Sequence, residues 1–487
     1  MLRVFVACVG DDLDSTISRL NEQLSSGDLV ELEVLGNADV IGADKTTFWL
    51  NAFMNSVLVD EHLRSVRLQR VPLSNDAALL VKSLLARCGK LQSFGIEGCE
   101  LTNSALAFIF DALVRLRSME EIVVRDNFTS PSETMIKNLI EMIQNKCRYF
   151  RVLELSNYGL LAEKKDLKLL LDALKHPQCW LKCLKLGRIK LEDKECFGSM
   201  ISENLSLEEL VLGEENEFAD GVVESVFQAI ERSRSLKVVE VHFKSLSSVQ
   251  VKAIGKALSV NRMLSSLKFR YFGVQQAVME HLGEGLTESC LKKIVLEAPA
   301  LSTPPDSLIP FLQSLRNKNF SLQSLIVLRT NIGIRFIKAL SKSIAENRTL
   351  ECLRLRECSV DGAQTKLLIE AISVNDSLAY VDLSHNHVPR DAVKGISGIT
   401  RSNHSLVSLN LDFNPELKIE NKTSSADASA PEFSVHPPVE FASARRVAVL
   451  CSLFRKRDAI DLTMIQLIME ILPRDYKGSL PQEEYLE

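Results

Sequence analysis

Fourteen times along this chain, an apolar residue opens a short stretch in which apolar and polar positions alternate. From Leu350 the chain reads LECLRLRECSV, from Leu378 LAYVDLSHNHV and from Leu406 LVSLNLDFNPEL, with Cys358, Asn386 and Asn414 at the same ninth place. These three openings lie 28 residues apart. Earlier copies open at Leu29, Leu63, Leu91, Met119, Phe150, Leu181, Leu207, Leu236, Leu264, Leu291 and Leu322, and a fainter one at Leu2. Steps run from 26 to 34 residues, with a mean of 29 between Leu29 and Leu406. A unit of that size cannot bury its own apolar side, so the copies must stack into one continuous core.

The alternation at the start of each copy predicts a strand with one buried face. The Asn or Cys slot turns the chain, its side chain placed to bond backbone groups inside the coil. The rest of each copy has helical spacing, as in 77–88, 221–233, 335–347 and 363–375. The expected fold is therefore an α/β solenoid with a parallel sheet along one side and helices along the other. Asn204, Asn261, Asn319, Asn347, Asn375 and Asn403 each stand three residues before a copy's opening residue. They read as helix C-caps in the left-handed conformation that Asn tolerates. Five of the six also spell N-x-[ST], a glycosylation acceptor. The cap explains their spacing without glycosylation.

A 28-residue period with a full helix per unit resembles the ribonuclease-inhibitor type of leucine-rich repeat. LLLDALKHPQCWLKCLKL at 169–186 resembles repeats of NOD-like receptors, which carry an H-P-x-C-x-L step between helix and strand. The resemblance covers about 29–417. It implies a leucine-rich-repeat solenoid shaped as a horseshoe, with a concave parallel sheet, convex helices and a role in protein or ligand recognition. It names no partner, because the fold hosts many functions. A nucleotide-binding module is not expected: Gly89-Lys90 and Gly255-Lys256 are followed by Leu and Ala, and Leu84 and Gln250 stand where a P-loop needs Gly. Ran GTPase-activating proteins share the repeat class, but their acidic tail is replaced here by Arg445, Arg446, Arg455, Lys456 and Arg457.

Composition is that of an ordinary soluble chain, 46% hydrophobic and 25% charged, and only 6% aromatic, so the core must be aliphatic. A net charge of −5 argues against nucleic acid as partner. No apolar run reaches membrane-spanning length, and the amino terminus lacks a signal-peptide core. Eleven scattered cysteines, an odd number, favour a reducing compartment, and a cytoplasmic monomer is expected. His176, Cys179, Cys183 and Cys196 mimic zinc spacing, yet they straddle a loop and a strand. They read as core filler, and His385 and His387 read as turn residues. No nucleophile elbow, metalloprotease or kinase pattern is present. The expectation is a non-enzymatic protein with no metal and no cofactor.

Third, fifth and seventh positions of each copy should project from the sheet. They supply Glu31, Glu33, Glu121, Glu154, Glu240 and His242, and later Glu297, Asp382, Asn410 and Asp412. Among them, Lys268, Arg270, Lys293, Ile326, Leu328, Arg354, Arg356 and Tyr380 form a candidate protein-binding patch spanning about 20 Å over five strands at about 5 Å each. Arg and Tyr beside exposed aliphatics have the composition of an interface hot spot; the alternative is an ordinary solvated face. Four regions follow: 1–28 as an amino-terminal cap or degenerate repeat, 29–418 as the array, 419–441 as a flexible linker and 442–487 as a helical segment. Within the last, DLTMIQLIMEIL resembles the first helix of F-box-like ubiquitin-ligase adaptors, with Thr463 where their opening Pro stands. A cap over the last repeat is the other reading.

Overall fold

The computed structural model describes residues 3–8, 12–25, 29–36, 47, 49–52, 63–127, 133–146, 148–156, 164–213, 216–243, 246–271, 276–297, 306–316, 321–390, 392, 403 and 405–415. The expected linker and carboxyl-terminal helices, the Leu2 opening and Asn319 lie outside them. The chain divides into two compact units, residues 1–242 with 261–264, and 243–260 with 265–487.

In the first unit the strands are β1 (Arg3–Cys8), β2 (Leu29–Leu35), β3 (Ser65–Gln69), β4 (Ser93–Glu97), β5 (Glu121–Arg125), β6 (Val152–Ser156), β7 (Cys183–Gly187), β8 (Glu209–Leu212) and β9 (Val238–Phe243). Each pairs in parallel with the next. Between them run α1 (Leu13–Ser25), α2 (Asn75–Arg87), α3 (Asn103–Leu113), α4 (Glu133–Glu141), α5 (Lys164–Leu174), α6 (Lys194–Glu203) and α7 (Val222–Arg232). The second unit repeats the plan with β10 (Ser266–Tyr271), β11 (Lys293–Glu297), β12 (Ser324–Leu328), β13 (Cys352–Arg356), β14 (Tyr380–Asp382) and β15 (Ser408–Asn410). Its helices are α8 (Ser248–Val260), α9 (Gln276–Thr287), α10 (Ile309–Ser314), α11 (Ile334–Glu346) and α12 (Gly362–Val374). Both units are α/β leucine-rich-repeat solenoid, as the period requires.

From Ser65 onward every one of these strands begins two residues after its copy's opening residue. The fourth and sixth positions then point inward: Val66 and Leu68, Leu325 and Val327, and Leu353 and Leu355 are completely buried. Each such side chain contributes roughly 1.5–3 kcal/mol relative to exposure. Helices α2 and α12 begin two and one residues before their expected segments, where side-chain caps fix the start. Ser74 Oγ accepts from Ala77 N, and Asp361 forms a capping box with Gln364.

Asn204, Asn347 and Asn375 do cap helices, but their backbone is extended (φ −72°, −76° and −83°), not left-handed. Hydrogen bonding rather than backbone freedom selects Asn here. In the second unit, Asn375 Oδ1 accepts from Ser377 N and Leu378 N at 2.9 and 2.7 Å. Its Nδ2 donates to Ile344 O and Asn347 O, in the preceding copy, at 2.8 and 2.9 Å. Asn403 and Asn347 repeat the pattern there, as Asn204 and Asn261 do in the first unit. Asp lacks the donor, and Gln carries its amide one methylene too far.

A second ladder stitches the strand exits. Asn386 Oδ1 accepts from Cys358 N and Val360 N of the preceding copy, and its Nδ2 donates to Leu355 O at 2.6 Å. Cys358 fills the same slot by donating its thiol to Val327 O and Arg356 O. Burial pushes that thiol up to about 12.

Candidate protein-binding face

The register of the second unit arranges the outward side chains in rows across the sheet. One row runs Lys268, Val295, Ile326, Arg354, Asp382, Asn410, and the next runs Arg270, Glu297, Leu328, Arg356. A third carries Ser266, Lys293, Ser324, Cys352, Tyr380. All eight expected patch residues therefore stand on one face of one unit, over five adjacent strands. Lys293, Arg356 and Tyr380 are exposed, while Lys268, Arg270, Leu328 and Arg354 are half-buried.

Two features differ from expectation. Ile326 is buried, 7% exposed, in register with Val295 on one side, itself buried, and Arg354 on the other. Glu297, an expected outward residue in the row between Arg270 and Leu328, is buried at 6%. Its carboxylate sits between Arg270 (Nε 3.6 Å) and Arg329 (Nη1 3.3 Å). A buried carboxylate held by two guanidinium groups is costly to break from either side, so Glu297 fixes Arg270 rather than adding an accessible negative charge.

Sequence reasoning missed the eighth position of the copy. There Arg70, Gly98, Asp126 and Arg188 in the first unit, and Arg329, Glu357, His385 and Phe413 in the second, all have φ between 48° and 61°. The left-handed region disfavours non-glycine residues by roughly 1–2 kcal/mol. Gly36 and Gly98 both stand at this position in the sequence, and of the two Gly98 takes the positive φ. In the second unit this position makes a continuous rim along the face. Arg329 Nε meets Glu357 at 3.5 Å, Arg356 Nε meets Glu357 at 3.3 Å, and Arg356 Nη2 meets His385 Nε2 at 3.4 Å. The His385 ring stacks on Phe413 at 4.3 Å, with 18° between planes.

The outward acids of the first unit are engaged across its strands. Arg67 pairs with Glu31 at 3.2 Å, and Ser93 Oγ donates to Glu121 at 2.7 Å. Arg125 clamps Glu154 through two guanidinium nitrogens, and that hydrogen bond, ahead of nearby charges, raises the arginine above its ordinary value. His242 meets Glu240 at 2.8 Å. Cys183 has an outward slot yet is buried, and burial pushes its thiol up to about 12. Among the described residues, no cluster of three or more His, Cys, Asp or Glu is arranged to hold a metal, and no helix is long and apolar enough to cross a membrane.

These repeats, with alternating parallel strands and helices, define a leucine-rich-repeat protein. The chain is 27% identical over 281 residues to NACHT, LRR and PYD domains-containing protein 12 of Mus musculus, covering 51% of this chain and 26% of that protein. It is 22% identical over 341 residues to ribonuclease inhibitor of Mus musculus, covering 63% of this chain and 73% of that protein. It thus spans about a quarter of the first relative and nearly three quarters of the second. The chain is a leucine-rich-repeat protein of the ribonuclease-inhibitor type, similar to the repeat region of NOD-like receptors. No family model matches it. Among solved structures, the tropomodulin C-terminal domain of Caenorhabditis elegans aligns with a TM-score of 0.25 and 18% identity, covering 34% of this chain and 92% of that one.

Proposed function

We propose that this chain is a non-enzymatic recognition scaffold that binds a protein partner through the outward face of the second unit's sheet. The observation that carries this reading is the register. It sets Lys293, Leu328, Arg354, Arg356 and Tyr380 on one surface over four adjacent strands, with the aromatic rim alongside. Mixed charge with aliphatic and aromatic area is the chemistry of a protein interface. One relative is by its name an inhibitor of a ribonuclease, which supports binding rather than catalysis. A reducing, cytoplasmic setting is part of this proposal, supported by the thiols of Cys99 and Cys358, which donate to backbone carbonyls.

Proximity labelling tests the reading, comparing wild type, Arg354→Glu/Arg356→Glu and a helix-side control, Lys338→Glu/Lys342→Glu. Loss of a defined set of neighbours only in the face variant is expected. An unchanged set in that variant refutes the reading.

A further inference from the structure

We propose that the partner presents an acidic segment carrying a leucine or aromatic side chain, and that the Arg356–His385–Phe413 rim is its anchor, with Tyr380 at the other end of the strands. This rests on the sheet face being the binding surface. Strands β10 to β15 direct five basic side chains outward, Lys268, Arg270, Lys293, Arg354 and Arg356, against two acids, Glu297 and Asp382. Arg270 and Glu297 offset one another, which leaves Lys268, Lys293, Arg354 and Arg356 against Asp382 alone on these strands. Glu297 is enclosed between two arginines, and Asp382 Oδ1 accepts from Ser384 N at 2.9 Å. The Arg356 side chain, by contrast, is 49% exposed. The face therefore complements negative charge.

The apolar half of the proposal comes from the rim. Phe413 is 59% exposed and Tyr380 38%. Phe413 also occupies a left-handed position, φ 56°, where an aromatic side chain bears both backbone strain and contact with water. Its stacking on His385, itself at φ 56° and bridged to Arg356, holds the ring flat and fixed. Rigid aromatics beside an arginine are the usual anchors of an interface. A protein segment fits better than a nucleic acid. A nucleic-acid strand carries a charge at every residue and cannot match cations interleaved with Ile326, Leu328 and Tyr380, whereas a peptide can alternate acidic and apolar side chains.

The test pans a random peptide library displayed on phage against the full chain, then measures the enriched peptides by fluorescence anisotropy. A single-stranded oligothymidylate is titrated in parallel. Enriched peptides should pair Asp or Glu with Leu or an aromatic. Arg354→Glu/Arg356→Glu should weaken them at least about tenfold, the equivalent of about 1.4 kcal/mol. Arg356→Glu alone, at an exposed site that spares the packing of Arg354, should weaken them in the same direction. Phe413→Asn keeps a residue that tolerates positive φ and should weaken them several-fold, while Lys338→Glu/Lys342→Glu should not. Enriched peptides that are basic or neutral yet sensitive to Arg356→Glu overturn the acidic partner and leave the face intact. Acidic peptides insensitive to every face variant overturn both. Absence of enrichment, or oligothymidylate binding as tight as the peptides and equally sensitive to Arg356→Glu, also overturns the proposal.

Discussion

Removing one rung of the asparagine ladder should cost far more than its single side chain implies. Asn375 is 2% exposed and satisfies four backbone groups: Ser377 N, Leu378 N, Ile344 O and Asn347 O. In Asn375→Ala the Ser377 and Leu378 amides lose their acceptor, whereas Ile344 O keeps Asn347 N and Asn347 O keeps Arg348 Nη1. A net hydrogen bond is worth about 1 kcal/mol, and a stranded buried group costs about 1–3 kcal/mol. With partial relaxation the loss should be about 3–4 kcal/mol. Urea unfolding followed by circular dichroism reads the total, and hydrogen exchange should show the Ser377 and Leu378 amides losing protection first. The control is Asp376→Ala, whose exposed carboxylate pairs with Arg348 at 3.0 Å and should contribute under about 0.5 kcal/mol. If Asn375→Ala costs no more than that control, the ladder is not what holds successive copies together. Asn375→Asp sharpens the test. Its carboxylate would face two carbonyl oxygens in a buried site, which raises its pKa above the unfolded value. Its stability should therefore be greatest in acid, near the protonated form, and fall as pH rises through neutrality, with wild type lacking that slope.

Three further outcomes follow from the same structure. A Cβ on Gly255 would lie 2.2 Å from His281 O, where α8 and α9 meet backbone to backbone, so Gly255→Ala should cost more than about 2 kcal/mol by forcing the helices apart; an unchanged melting temperature would refute this. Glu100 is exposed with φ 49°, so Glu100→Gly should be stabilising by about 0.5–1 kcal/mol, and Glu100→Val should destabilise by a similar amount. The Cys358 thiol, pushed up to about 12 by burial, contributes stability fully present below the ordinary thiol value near 9 and lost as pH rises toward 12. Its share of the alkaline slope is about 1.4 kcal/mol per pH unit, and Cys358→Ala should lack that increment in urea midpoints between those values.

What the sequence made legible follows from periodicity, and what it hid follows from conformation. Openings such as Leu63, Leu322 and Leu350 place β3, β12 and β13 to the residue, because an inward Leu at a fixed offset has one way to be buried. The Asn spacing likewise marked the ends of α6, α8, α11 and α12, but not why: a side chain that bonds both ways between copies leaves the same trace as one chosen for positive φ. At the eighth position the trace vanishes altogether. Arg70, Asp126, Glu357, His385 and Phe413 share no chemistry, so no pattern reveals that they share a backbone conformation. That position nevertheless decides the face. The left-handed turn aims each side chain along the sheet's margin, which brings Glu357 to Arg356 and Phe413 to His385. The candidate patch, read as a set of outward slots, contained Arg356 but neither ring of the rim it joins. Only register and turn together convert isolated residues of ordinary composition into an ordered aromatic and cationic edge. Variation at a strained position with a constant backbone is how a repeat array can hold one fold while changing what it presents.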